Sequence, residues 1–315
     1  MLNKYLDPKN DVAFRKIFGS EKNKDILIHF LNDMAMFKDK PCIADISFLK
    51  TVQDPEIAVK KTSLVDILCK DSKGRQYIVE MQVAPEKGFA QRAQYYAAKA
   101  YINQADVGHK YHNLREVVFL AITKFKMFPH RKNYKSDHII LEKETHDHDL
   151  THLAFSFLEL PKFKKKIHEL DNITDKWMYF FKNAKETSEA DLAKIIGKDS
   201  IIERAYSELN RFTWTEEELL TYEQAEKYEK GYLASLEQKF DEGLEKGKAE
   251  ERQKHEEERQ KHEEEKLKHE KERQKHEEEK RKIAYKMLAK GMSVEDASEL
   301  TGLSIDVIES LEILA

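Results

Sequence analysis

Cysteine is scarce: Cys42 and Cys69 are the only two in 315 residues. Both lie in apolar contexts, so buried free thiols are expected, as in a reducing cytoplasm. Long hydrophobic runs are missing too, and none nears the roughly 20 residues that span a bilayer. The opening "MLNKYLDPKNDVAFRK" lacks the apolar stretch of a secretory signal. A net basic charge is also lacking: the formal charge is −4. Any nucleic-acid contact must then come from a local patch. No HExxH, phosphate-binding glycine loop or paired CxxC occurs. These absences predict a soluble, cytoplasmic protein with no membrane contact.

What is present is charge, at 36% against 40% hydrophobic residues, much of it between 226 and 282. The rest reads as globular. Residues 10 to 36 carry two helical patterns. Asn10 is placed to cap the first, striped by Val12, Phe14, Ile17 and Phe18, and Gly19 stops it. Ser20 is placed to cap the second, striped by Ile26, Leu27, Phe30 and Leu31. Strand-like pieces follow at 43–50, 62–69 and 75–83. "FAQRAQYYAAKAYINQ" (89–104) is alanine-rich and reads as a helix. "EVVFLAIT" (116–123) has the continuous apolar run of a strand buried on both faces. "HIILEK" and "THLAFSFLEL" add two weaker strands. Helix, strands, helix, strands predicts an α/β architecture of mixed pairing.

From 163 onward the pattern is helical, through "DKWMYFFKNA", "IIERAYSELNRF" and a long segment that Thr213 or Thr215 can cap. Between 254 and 281 a seven-residue repeat runs "KHEEERQ", "KHEEEKL", "KHEKERQ", "KHEEEKR". Its period is a heptad, but the apolar seam is absent, and Leu267 is its only large apolar residue. Glu257–Lys261, Glu264–Lys268 and Glu277–Arg281 have favourable helical spacing. The repeat fits a solvated single-helix spacer or a weak coiled coil in an oligomer. His255, His262, His269 and His276 recur roughly 10 Å apart along such a helix, too far to share a metal, and are expected to be exposed. The end of the chain, capped by Ser293 and Ser304 and turned by Gly302, has a helix-turn-helix pattern. Its second helix carries Asp306, Glu309 and Glu312 and no basic residue. That favours protein contact or self-association over DNA.

The segment "SLVDILCKDSKGRQYIVEMQVA" (63–84) reads as a hairpin with a carboxylate inside each strand. A three-residue loop, Ser72-Lys73-Gly74, puts Gly74 in the left-handed position and pairs Asp71 with Arg75. Asp66 then lies opposite Glu80, on the same face as Gln82, while Val65, Ile67, Val79 and Met81 take the other face. Opposed carboxylates repel. A divalent cation between them would offset that, and hard cations such as Mg²⁺ prefer such oxygens. Alternatively, a carboxylate pairs with Arg92 or a lysine, or a bulge turns one of them away.

Asp66 followed by Glu80-Met81-Gln82 resembles the PD-(D/E)xK nuclease superfamily, and within it the recombination-promoting nuclease, or transposase-like, branch. "DPKNDVAFRKIFGSEKNKDILIHFLND", "QRAQYYAAKAY", "WTEEELLTYEQAEK", "EGLEKG" and the terminal "KMLAKGMSVEDASELTGLSIDVIESL" carry the same likeness, which covers most of the chain. The resemblance implies a restriction-endonuclease-like α/β core with a mixed central sheet flanked by helices. It implies metal-dependent cleavage of DNA by Mg²⁺, Mn²⁺ or Ca²⁺, in recombination, mobile-element or phage-defence settings. Asp66 and Glu80 would be the metal ligands, with the Met81 carbonyl as a third. Asp11 would be an accessory carboxylate. Gln91, Arg92 and Tyr95 would be phosphate or water contacts. Val65 replaces the proline before the aspartate. Gln82 replaces the superfamily's lysine and cannot supply its charge, which Arg92 or Lys99 would then provide.

The expected organisation is a nuclease-like core at 1–162, a helical extension at 163–225, a charged helical arm at 226–282 and a helix-turn-helix-like module at 283–315. The arm and module are candidates for homo-oligomer contacts. "THDHD" (145–149) reads as a solvated turn. The competing hypothesis is a non-catalytic interaction or regulatory protein that keeps the nuclease fold.

Overall fold

The computed structural model describes residues 3–34, 42–50, 52–53, 63–105, 110–197 and 199–312. The chain divides into two compact units, Met1–Leu233 and Ala234–Ala315. Among the described residues no helix is long and apolar enough to cross a membrane.

The first unit begins with α1 (Asp11–Phe18) and α2 (Lys24–Asp33). Asn10 caps α1 through its side-chain oxygen, which accepts from the Val12 and Ala13 N–H groups, as the sequence predicts. Ser20 does not cap α2. Its hydroxyl turns back to the Lys16 carbonyl, and a 3₁₀ turn, Glu21–Asn23, intervenes before α2 starts. Then come β1 (Ile46–Phe48), β2 (Val52–Gln53), β3 (Ser63–Leu64), β4 (Ile67–Asp71), β5 (Gln76–Gln82), α3 (Phe89–Ile102), β6 (Val117–Thr123), β7 (Lys135–Ile139) and β8 (Leu153–Glu159). The six-stranded sheet has the order β1-β4-β5-β6-β8-β7, and β2 and β3 form a separate pair. Strands β5, β6 and β8 run parallel, and the outer pairings are antiparallel.

Alternation sorts the strands onto two cores. Ile67, Cys69, Tyr77, Val79, Met81, Val118 and Leu120 join a cluster with α1, α2, α4 (Ile173–Asn183) and α6 (Ser200–Glu208). Leu68, Ile78, Val117, Phe119 and Ala121 join a cluster with Phe89, Ala93, Tyr96 and Ala97 of α3. The sheet is thus flanked by helices on both faces. The centre of the first cluster is aromatic. Phe18 lies 5.1 to 6.5 Å from the rings of Phe14, Phe30, Trp177, Phe180 and Phe181. That ring set binds the helices after 163 to the two at the start.

Two further sequence expectations need correction. The strand expected at 62–69 breaks into β3 and β4 around Asp66, and Val65 packs with Leu68 and Ile78 rather than with Ile67 and Val79. Cys42 is exposed, and only Cys69 is buried. Helix α5 (Glu189–Ile196), capped by Ser188, lies in the stretch expected to be helical, although its own segment was not singled out. Its single fully buried side chain, Ile195, leaves too faint an apolar stripe to show in the sequence.

Helix α7 (Glu216–Leu288) starts in the first unit. Thr215 caps it, in a box with Glu218: the Glu218 N–H donates to Thr215 Oγ1 at 3.2 Å, and the Thr215 N–H donates to Glu218 Oε2 at 2.9 Å. Tyr222 is buried, and its hydroxyl accepts from the Asp7 N–H at 3.0 Å. In the second unit the repeat side chains are exposed. Glu277 pairs with Arg281 at 3.1 Å as expected. The expected lysine pairs do not form. Arg259 instead reaches Glu256 and Arg273 reaches Glu270, one turn back. Solvated lysines gain little from a fixed partner, whereas the arginine fork is pre-organised for a carboxylate. The last helices, α8 (Val294–Thr301) and α9 (Ile305–Glu312), close a small core around Ala284, Ala297, Leu303 and Ile308.

Candidate metal centre at the β4–β5 hairpin

The hairpin turns as its residues dictate. Gly74 has φ +81°, and its N–H donates to the Asp71 carbonyl at 2.9 Å. The Asp71 N–H donates to the Arg75 carbonyl at 2.9 Å. Ile67 then pairs with Val79 and Lys70 with Gln76. Continuing that register one step brings Asp66 beside Glu80, where the chain bends away from the sheet.

Several carboxylates are buried in this unit, and their surroundings differ. Asp71 is filled by four donors: the Lys73 and Arg75 N–H groups, Arg75 Nε and the Tyr77 hydroxyl. Glu159 takes the Met127 and Phe128 N–H groups on one oxygen and Lys162 on the other. Asp175 takes Tyr134, Lys165 and the Asp171 N–H. These three hold the fold. Glu80 is only 5% exposed, and its Oε1 is buried with no hydrogen-bond partner. Among the described residues it is the one carboxylate with such an orphaned oxygen. A buried acceptor left unfilled is costly and requires an explanation.

Burial pushes the Glu80 carboxyl up to about 8, the nearby Asp66 charge adds to this, and Arg92 opposes it. The Asp66 carboxyl is also raised, first by burial and then by Asp11, against the Met81 N–H and Arg15. Asp66 Oδ2 accepts from the Met81 N–H at 2.9 Å, and Oδ1 accepts from Arg15 Nη2 at 3.2 Å. The Glu80 Oε2 atom lies 3.8 Å from Arg92 Nη2. That guanidinium also donates to Gln82 Oε1 at 2.7 Å and pairs with Glu86, while its Nε is buried without an acceptor.

The folded, metal-free protein therefore holds a proton on Glu80 that the unfolded chain, with an ordinary carboxyl, releases earlier as pH rises. The stability this proton supplies is present at acid pH and is lost as pH climbs through about 8. Glu80→Gln, which cannot ionise, is expected to raise the melting temperature by at least about 5 °C at about pH 9. At about pH 5 it should leave the melting temperature unchanged. Thermal melts in EDTA at both pH values check this.

Of the residues singled out from sequence, Asp66, Glu80, Gln82 and Arg92 converge. Asp11 pairs with Arg15 at 3.0 Å, and its charge adds to the rise at Asp66. Gln91 and Tyr95 are exposed on α3, and neither forms a hydrogen bond or ion pair with Asp66, Glu80 or Gln82 among the described residues. Lys99 lies two turns further along α3 from Arg92. Sequence reasoning missed Arg15 and Glu86. The four-residue Asp11–Arg15 spacing was the available signal for the first.

Asp66 and Glu80 could hold a divalent cation, with Glu80 Oε1 as the unfilled donor atom. Among the described residues, no three His, Cys, Asp or Glu side chains form a metal-binding group. Hard cations that keep several waters need only one or two carboxylates, so the donor set fits Mg²⁺ better than zinc.

A mixed sheet covered by helices on both faces, with paired carboxylates at its hairpin, is a restriction-endonuclease-like α/β fold. Residues 8–239 match the family described as PD-(D/E)XK nuclease family transposase, and the chain belongs to that family. No curated protein and no solved structure matches the chain.

Proposed function

We propose that this chain is a divalent-metal-dependent DNA endonuclease that hydrolyses phosphodiester bonds at Asp66 and Glu80. The buried, unfilled Glu80 Oε1 beside a second carboxylate is the observation that carries this. A Mg²⁺ ion held by both would supply a water of lowered pKa and offset charge on the scissile phosphate. Mn²⁺ or Ca²⁺ are alternative occupants.

The chain's own residues do the rest. The Met81 N–H and Arg15 fix the two Asp66 oxygens. Gln82 takes the place of a lysine but does not take over its charge. It receives one guanidinium nitrogen of Arg92 and donates its own amide to the Ala84 carbonyl at 3.1 Å. Gln82 is thus a positioning residue, and the positive charge that faces Glu80 and the DNA phosphate comes from Arg92 on α3. Asp11 steadies Arg15.

The test is nicking of supercoiled plasmid with Mg²⁺, Mn²⁺ or Ca²⁺, using the wild type and Asp66→Ala. Metal-dependent nicking by the wild type alone is expected. No cleavage by the wild type, or equal cleavage by both, would defeat the assignment.

A non-catalytic role is the second reading. It draws on Gln82, which cannot act as a base, and on the Arg15–Asp66 ion pair. For the terminal module, the acidic α9, with Asp306 and Glu309 and no basic residue, favours protein contact or self-association over DNA.

A further inference from the structure

Away from the carboxylate pair, the chain after β8 runs "PKFKKKIHEL" and folds back against α4 and α5. The concavity between them measures about 740 Å³ and is lined by Lys164, Lys165, Lys166, Lys182 and Lys194, with Asp191 as its one carboxylate. The charges there do not balance. Asp191 is taken by Lys194 at 3.1 Å and by the Ser188 hydroxyl at 2.8 Å. Lys165 is taken by Asp171 and Asp175. Lys164, Lys166 and Lys182 have no carboxylate within ion-pair distance among the described residues.

Lys182 is the informative one. It is partly buried on α4, and its ammonium donates to the Phe163 carbonyl, a neutral acceptor that leaves the charge uncompensated. Burial, and then the Lys164 charge, pull its pKa below the usual lysine range. Like charges gathered in a concave, partly desolvated wall repel unless an anion sits among them. Asn183 adds a side-chain amide to the same wall. Lysine ammoniums on flexible stems around an open hollow suit the spread oxygens of a phosphate rather than a planar carboxylate, which arginine forks match better.

We propose that this concavity is a phosphate-binding site, with Lys164, Lys166 and Lys182 as its oxyanion contacts. The same chemistry would take either the backbone phosphates of a nucleic acid or the free phosphate chain of a nucleotide. The site does not depend on the nuclease reading, and its test reads binding rather than cleavage.

The experiment uses the full chain in EDTA, so that no metal-dependent step intervenes. Two probes are titrated: a short fluorescein-labelled DNA duplex, followed by anisotropy, and inorganic tripolyphosphate, followed by calorimetry. The variant is Lys164→Gln/Lys166→Gln, because both side chains are exposed and their loss leaves the fold intact. A thermal melt verifies that. Binding is expected to weaken by about tenfold or more, and on the duplex the salt dependence should fall by roughly two counterions. Loss on the duplex identifies a polymer backbone, and loss on tripolyphosphate alone identifies a free phosphate chain. If the variant and the wild type bind both probes equally, these are solvated surface lysines and the site does not exist.

Discussion

Asp66→Ala is expected to lower metal-dependent plasmid nicking by at least about 10²-fold, the scale on which charge-stabilising groups act in active sites. Among the described residues Asp66 and Glu80 are the carboxylates that converge at the hairpin, so removing one would leave half of the proposed ligand set. Glu80 alone would keep its unfilled oxygen, and with the Asp66 charge gone its carboxyl would ionise more readily. The remaining single carboxylate is a weak anchor for a cation that already keeps most of its waters. The fold should survive. Asp66 accepts one hydrogen bond from the sheet, donated by the Met81 N–H and worth about 1 kcal/mol. Asp66→Asn is the control, because its amide oxygen can still accept from Met81 while the charge is lost. Nicking should fall similarly in both. Normal nicking by Asp66→Asn would mean that the charge at 66 is not used.

Phe18→Ala is expected to destabilise the first unit by about 3–5 kcal/mol. Phe18 is fully buried and contacts five other aromatic rings contributed by α1, α2 and α4. No neighbouring side chain is positioned to collapse into so large a void, because each is itself pinned in the ring set. A loss of that size is a large share of the stability of an ordinary domain, about 5–15 kcal/mol. Urea denaturation measures it. A loss under about 1 kcal/mol would mean that α4 is not docked on α1 and α2 as described. The same variant should lose nicking, since α1 carries Arg15 and Asp11.

How much was legible beforehand follows from which signals are local. The hairpin register was, because Gly74 and the Asp71–Arg75 pairing fix it within five residues. The capping of α1 by Asn10 and the buried strand β6 were legible for the same reason. The bend at Asp66 was not. Val65, Leu68 and Ile78 meet across strands on the α3 side, and a period-two pattern cannot show that one residue leaves it. That Asp66 and Glu80 lie side by side was legible, but their company was not. Arg15 reaches Asp66 across 51 positions of sequence, and nothing local marks that contact. Gln82 looked like a weakened lysine position. Its meaning came from its two partners, Arg92 and the Ala84 carbonyl, which only the folded chain brings to it. The lysines that line the concavity beside α4 and α5 were not singled out, because the helices that complete its wall come later in the chain.

The most direct measurement is Mn²⁺ binding to the full chain, by calorimetry, for the wild type and Asp66→Ala. The hairpin carboxylates predict a site in the wild type that is lost in Asp66→Ala and that tightens as pH rises through about 8, where Glu80 ionises. Equal binding by both proteins, or none by the wild type at any pH, would contradict a metal centre at Asp66 and Glu80.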